Sequence, residues 1–172
     1  MNKMQMPRIE KLTLNVGAGK DQARLDKSII VLKALTGIEP QKTISQKRIP
    51  NWGVRPGLPV GCRLTLRRKA AQDMLKRVLK AKEFKLAPRH FDEQGSVSFG
   101  ILEYIDIEGA QYDPKIGMLG LQVCVTLEKP GHHVKRRRLR PARIGRGQRL
   151  TKDETMSFMK QHFGVTIAEE SA

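Results

Sequence analysis

Between residues 8 and 16 apolar and polar positions alternate. Leu12, Leu14 and Val16 fall on one side and Lys11, Thr13 and Asn15 on the other, the pattern of a half-buried strand. Gly17-Ala18-Gly19 breaks the alternation. Asp21 then stands where an N-cap belongs, Leu25, Ile29, Leu32 and Leu35 share one helical face, and Gly37 supplies the stop. Alternation returns over 62–67, with Leu64 and Leu66 inward and Arg63, Thr65 and Arg67 outward. Met74, Leu75, Val78 and Leu79 predict a second helix over about 70–85, with Pro88 beyond its end. Strand-like runs follow at 97–100, 101–107 and 120–126; in the last, Leu121, Val123 and Val125 oppose Gln122, Cys124 and Thr126. A closing helix opens on Thr151-Lys-Asp-Glu154, a capping box, with Met156, Met159 and Phe163 as its apolar stripe and Gly164 as its stop.

Three of these strands are aliphatic on one face and carry Arg, Lys, Thr, Asn or Gln on the other. Antiparallel sheets can leave one face uncovered while helices pack on the aliphatic side. The expected fold is therefore α+β: an antiparallel sheet with helices on one face and an open polar, basic face. The 172 residues fit a single domain over 1–172, with an extended basic loop at 46–61 and a basic C-terminal arm at 129–149. Segment 43–61 shows no sustained period and reads mostly as loop.

Charge changes the picture. The formal net charge is +16, and its distribution is uneven. Segment 40–72 holds eight Lys and Arg residues and no acid, and segment 129–149 holds nine and no acid. Those two stretches account for the whole excess and leave the remainder close to neutral, so the expected partner is a polyanion. No stretch has the length or apolarity of a signal peptide or membrane span. Cys62 and Cys124 are far apart and read as reduced cysteines of a cytoplasmic protein.

Tests for catalytic chemistry come back negative. Gly17-Ala-Gly-Lys20 lies between a strand and a helix, but Leu14 and Asp21 occupy the positions where a P-loop needs Gly and Ser or Thr. Gln22 likewise replaces the third Gly of the dinucleotide pattern. The turn is best read as a tight entry to the helix, with turn amides able to hold an RNA phosphate. His132-His133 has no carboxylate or cysteine at ligand spacing. Glu103 and Asp106 fall on opposite faces of the strand expected over 101–107 and cannot act as a pair. No catalytic residue, metal site or cofactor is assigned.

The arm is informative in another way. Its Lys135, Arg136, Arg137, Arg138, Arg140, Arg143, Arg146 and Arg149 offer guanidinium groups that match phosphate oxygens and stack on bases. Its Gly and Pro residues suit an irregular surface, and such a segment is expected to be mobile alone and to order on RNA. In the loop, Lys47, Arg48 and Arg55 flank Trp52, the only tryptophan. That ring can stack on a base between phosphate-binding arginines or plug a long loop, and composition leaves both open. Composition also leaves an RNA-modifying enzyme or a nonspecific DNA-compacting protein as rivals.

Two long motifs narrow the choice. Pro7-Arg-Ile-Glu-Lys-Leu-Thr-Leu-Asn-Val-Gly-Ala-Gly19 and Val54-Arg-Pro-Gly-Leu-Pro-Val-Gly-Cys-Arg-Leu-Thr-Leu-Arg67, together with Thr36-Gly37, Tyr112-Asp113 and the 120–127 strand, resemble the universal "L-five" family of large-subunit ribosomal proteins. The likeness covers nearly the whole chain. The basic arm and the Thr-Lys-Asp-Glu helix look like the archaeal and eukaryotic form, and the short N-terminus favours the archaeal one. This resemblance implies a structural protein of the central protuberance that binds 5S rRNA. It places Asn15, Thr65, Tyr112 and Asp113 on RNA-contact positions; Lys11, Thr13, Arg63 and Arg67 share the polar strand faces. It assigns the 46–61 loop, with Lys47, Arg48, Trp52 and Arg55, to peptidyl-site tRNA. The arm would contact large-subunit rRNA, and the other 5S-binding protein would be a neighbour. Ile38 stands where bacterial members often have Gln, so that contact is not carried over.

Overall fold

The computed structural model describes Asn2 and residues 4–167. Five strands, β1 (Arg8–Gly17), β2 (Gln41–Ile44), β3 (Pro59–Leu66), β5 (Ser96–Ile101) and β6 (Leu121–Glu128), form an antiparallel sheet in the order β2-β3-β1-β6-β5. A second, two-stranded sheet pairs β4 (Lys85–Leu86) with β7 (Thr166–Ile167) in parallel. The helices are α1 (Gln22–Thr36), α2 (Arg68–Ala81), the short α3 (His133–Arg136) and α4 (Lys152–Phe163). The expected α+β class holds.

The chain divides into two compact units. One comprises 13–66 and 100–124; the other comprises the described residues of 1–12, 67–99 and 125–167. In the first unit α1 packs on β3 and is bounded as its sequence predicts. Asp21 accepts from the amides of Ala23 and Arg24 at 3.0 and 3.2 Å, and Gly37 closes the helix at φ 72°. Leu25, Val31, Leu32 and Leu35 are its buried stripe, above Leu14, Val16, Cys62 and Leu64 of the sheet. Gly61 is required where β3 passes β1, since a Cβ there would lie 2.6 Å from the Val16 carbonyl oxygen. Only a residue without a side chain permits that approach.

Most of the 43–61 stretch is loop, as expected, and only its two ends enter strands: Thr43 pairs with Gly61 at the close of the β2–β3 hairpin. One expectation for this unit needs correction: the 101–107 run is not a strand. It turns through a 3₁₀ helix at Tyr104–Asp106, and Ile101, Tyr104 and Ile107 are buried at intervals of three, the period of that helix. The argument from opposite strand faces for Glu103 and Asp106 therefore lapses.

In the second unit α2 carries Ala71, Met74, Leu75, Val78 and Leu79 inward. It ends at Ala81 rather than 85, because Glu83 and Phe84 adopt φ of 52° and 56°, a left-handed step that stops a helix and redirects the chain into β4. The capping box at α4 is present: Thr151 Oγ1 accepts from the Glu154 amide at 3.3 Å, and Glu154 accepts from the Thr151 amide at 3.2 Å. Met159 is fully buried and Met156 and Phe163 partly so.

Candidate nucleic-acid interface

The polar strand faces follow from the two-residue alternation. In the first unit Thr13 and Asn15 of β1 are half-buried, while Arg63 and Thr65 of β3 are exposed. Asn15 Nδ2 donates to Gln122 Oε1 of β6 at 3.1 Å, and Arg63 reaches Gln41 of β2 at 3.5 Å. Amide, hydroxyl and guanidinium groups of β1, β3 and β6 thus share the polar side of their strands, a set that can donate to phosphate and to base edges alike. Cys124 lies on the same strand side, partly exposed.

The loop between β2 and β3 is a built hairpin tip. Ile49 and Val54 exchange backbone hydrogen bonds at 2.9 and 3.1 Å around a 3₁₀ turn at Pro50–Trp52, and Gly53 sits at φ 65°. Val54 is 5% exposed and is the residue that plugs the loop; Trp52 is 70% exposed. The choice left open by composition is resolved against a core role for the ring. Lys47, Arg48 and Arg55 are exposed on the same tip.

Tyr112 is exposed, whereas Asp113 is partly buried and organises a turn. Its amide donates to the Tyr104 hydroxyl at 3.3 Å, its Oδ1 accepts from the Lys115 amide at 2.9 Å, and its carbonyl accepts from Ile116 and Gly117. Asp113 therefore fixes the backbone that presents Tyr112.

In the second unit lie Lys11, half-buried, and Arg67, exposed, together with the arm. Here the structure adds residues that composition does not single out. Glu10 and Glu128 have side chains only 7% exposed, and both are ringed by cations. Arg136 Nη2 lies 2.7 Å from Glu10 Oε2 and 3.1 Å from Glu128 Oε2. Arg67 reaches Glu10 at 3.4 Å, Arg8 reaches Glu128 at 2.9 Å, and His132 Nδ1 stands 3.8 Å from Glu128. A sequence signal for Glu10 exists: it falls on the aliphatic series of β1, with Leu12, Leu14 and Val16, where an acid belongs only if paired.

The base of the arm is closed by Lys129, which is buried. Its Nζ donates to Glu154 at 2.8 Å and to the Arg149 carbonyl at 3.3 Å. Burial disfavours the Glu154 charge, yet the hydrogen bonds from Lys129 and the Thr151 amide and the charge of Lys129 outweigh it, holding the carboxyl below its usual range. Lys135, Arg137, Arg138, Arg140, Arg143, Arg146 and Arg149 remain exposed. Arg137 Nε donates to the Arg140 carbonyl at 2.8 Å and Arg149 Nε to the Ile144 carbonyl at 3.3 Å. Among the described residues, no three His, Cys, Asp or Glu side chains gather as metal ligands.

A near-neutral α+β body with cations collected on a hairpin tip, on polar strand faces and on a pinned arm defines a small basic protein suited to a polyanion. Residues 2–55 match the family model for ribosomal protein L5, and residues 59–158 match the model for the C-terminus of the same ribosomal family. The chain is 43% identical to the large ribosomal subunit protein uL5 of Methanosphaera stadtmanae, over 97% of this chain and 99% of the relative. The uL5 of Sulfolobus acidocaldarius is 44% identical over 98% and 94%, and that of Nanoarchaeum equitans 44% over 95% and 97%. The chain belongs to the uL5 family of ribosomal proteins and is of the archaeal type. That family is structural rather than enzymatic.

Proposed function

We propose that the protein is a structural component of the large ribosomal subunit that binds 5S rRNA through its polar strand faces and helps form the central protuberance. In this reading Asn15, Thr65, Arg63 and Thr13 meet 5S rRNA in one unit, Lys11 and Arg67 in the other, and Tyr112 stacks or donates from the turn that Asp113 holds. The hairpin tip, with Lys47, Arg48, Trp52 and Arg55, reaches peptidyl-site tRNA. The exposed arginines of the arm contact large-subunit rRNA, and the second 5S-binding protein is the neighbour.

The observation that carries the 5S reading is the polar face of β1 and β3, with Arg63 and Thr65 exposed beside half-buried Asn15; the tRNA contact is supported by the 70% exposure of Trp52 on a hairpin tip flanked by cations. An exposed indole is unfavourable in water and suits a base or ribose as its cover. Phosphate contacts set position, while stacking and the amide row supply selectivity for non-helical RNA. Site-specific photo-crosslinking from positions 15, 52 and 138 in assembled large subunits tests the assignment. The expected partners are 5S rRNA, tRNA and large-subunit rRNA respectively. Crosslinks from position 15 to protein alone would refute the 5S assignment.

A further inference from the structure

The basic arm lines one side of an open cavity of about 710 Å³. Its frame is fastened at several points. Lys129 ties the two ends of the arm, the Ala142 amide donates to the Val134 carbonyl at 3.2 Å, and Gln148 Nε2 donates to the carbonyls of Pro130 and Met4 at 2.6 and 2.8 Å. The cavity is therefore a built feature of the second unit and not a gap under a loose tail.

Its lining is of three chemical kinds. Leu127, Ile144 and Leu150 give an apolar part of the lining, and Lys135 and Arg143 give positive charge. Among the described residues, neither of those cations has an acidic partner. Glu93 and Gln94 add a carboxylate and a primary amide. His132, on the wall, has its Nε2 buried without a hydrogen-bond partner, a state that leaves the cost of desolvation uncompensated.

We propose that this cavity receives a single nucleotide turned out of its stack in large-subunit rRNA. The base covers the apolar residues Leu127, Ile144 and Leu150, its edge meets Glu93 and Gln94, and the phosphate lies at Lys135 and Arg143. The volume falls within the range of about 300–1,000 Å³ of small-molecule pockets. Inorganic phosphate alone needs no apolar lining, and a continuous duplex cannot deliver a base edge into a recess. Splayed bases in loops and bulges can. The inference rests on the reading of the arm as an rRNA contact.

Two full-length variants separate the two ideas. Ala142→Trp places an indole at an exposed position on the cavity wall and alters no charge. Replacing Arg137, Arg138 and Arg140 together with Gln removes cations that lie outside the lining. Binding to purified large-subunit rRNA is measured across a salt series, with circular dichroism as the folding control. Filling the cavity is expected to weaken binding roughly tenfold, the order of one lost base stack, with the salt slope unchanged. The triple variant is expected to weaken binding and flatten the slope. Full affinity for Ala142→Trp beside a weakened triple variant overturns the nucleotide site and leaves the arm reading standing; full affinity for both overturns both. A direct titration with AMP, GMP, CMP and UMP, followed by the Leu127, Ile144 and Leu150 methyl resonances, should show shifts with at least one nucleotide. Shifts with none, or the same shifts with inorganic phosphate, overturn the site.

Discussion

Arg136 Nη2 lies 2.7 Å from Glu10 Oε2, so the basic arm is joined to the first strand by an ion pair whose carboxylate is nearly buried. The same guanidinium reaches Glu128 at 3.1 Å. A protein that must present many like charges holds the root of its arm with two acids that are themselves out of the water. Arg136 is therefore engaged within the protein, and in the proposed reading the exposed cations further along the arm are the ones that meet RNA.

Glu10→Gln should cost about 1.5–3 kcal/mol of stability, the range for a hydrogen bond to a charged group. Its arginine partners are half-exposed, so the larger penalty for stranding a fully buried charge does not apply. Chemical denaturation of Glu10→Gln, Arg136→Gln and the double variant checks this. The two changes should be strongly non-additive.

The Lys129–Glu154 clamp should loosen in acid. The Glu154 carboxyl is held below its ordinary value of 4.5 in the folded protein. Its contribution is therefore full above that value and is lost as pH falls through the folded one. Comparing the stability of the protein and Glu154→Gln from pH 7 to pH 2 should show the difference shrinking below about pH 4.5. A difference that stays constant would remove the clamp from the pH dependence.

Trp52 and Val54 should separate binding from folding. Val54→Ala removes two buried methyl groups and should lower stability by about 1.5 kcal/mol. Trp52→Ala should leave the melting temperature unchanged while weakening the RNA contact of the hairpin by about 1–3 kcal/mol. Thermal melts and tRNA crosslinking yields read the two effects.

Burial pushes the Cys62 thiol up to about 11, whereas Cys124 is only partly covered. At pH 8 a thiol reagent should modify Cys124 alone, with Cys62 reacting only on unfolding. Mass spectrometry of the labelled peptides checks this.

Much of the fold is local and could be read directly. Asp21, Gly37 and the Thr151–Glu154 box set helix ends by hydrogen bonds between neighbours in sequence, and the alternation in β1, β3 and β6 assigns their faces. What escaped is non-local or has an ambiguous period. Strand β2 has exposed Gln41 and Lys42 and exists because β3 pairs with it, so no amphipathic pattern marks it. The 101–107 run contains Ile at 101, 105 and 107, which imitates a strand, while the spacing of Ile101, Tyr104 and Ile107 is the one the structure uses. At the candidate interface, residue types gave the cations and the exposed amides, but the carboxylate anchors Glu10 and Glu128 act through partners distant in sequence. The cavity beside the arm is likewise invisible before the chain is folded.

The central claim is selective recognition of 5S rRNA, and competition binding tests it most directly. Labelled 5S rRNA is bound to the purified protein at about 150 mM salt, near physiological ionic strength, against a size-matched hairpin RNA and duplex DNA, and the experiment is repeated with Asn15→Ala plus Thr65→Ala. Neither competitor is expected to displace 5S rRNA at equal concentration, and the double variant is expected to lose that preference while keeping its salt dependence. Equal competition by all three nucleic acids, or a double variant as selective as the parent, would contradict the claim.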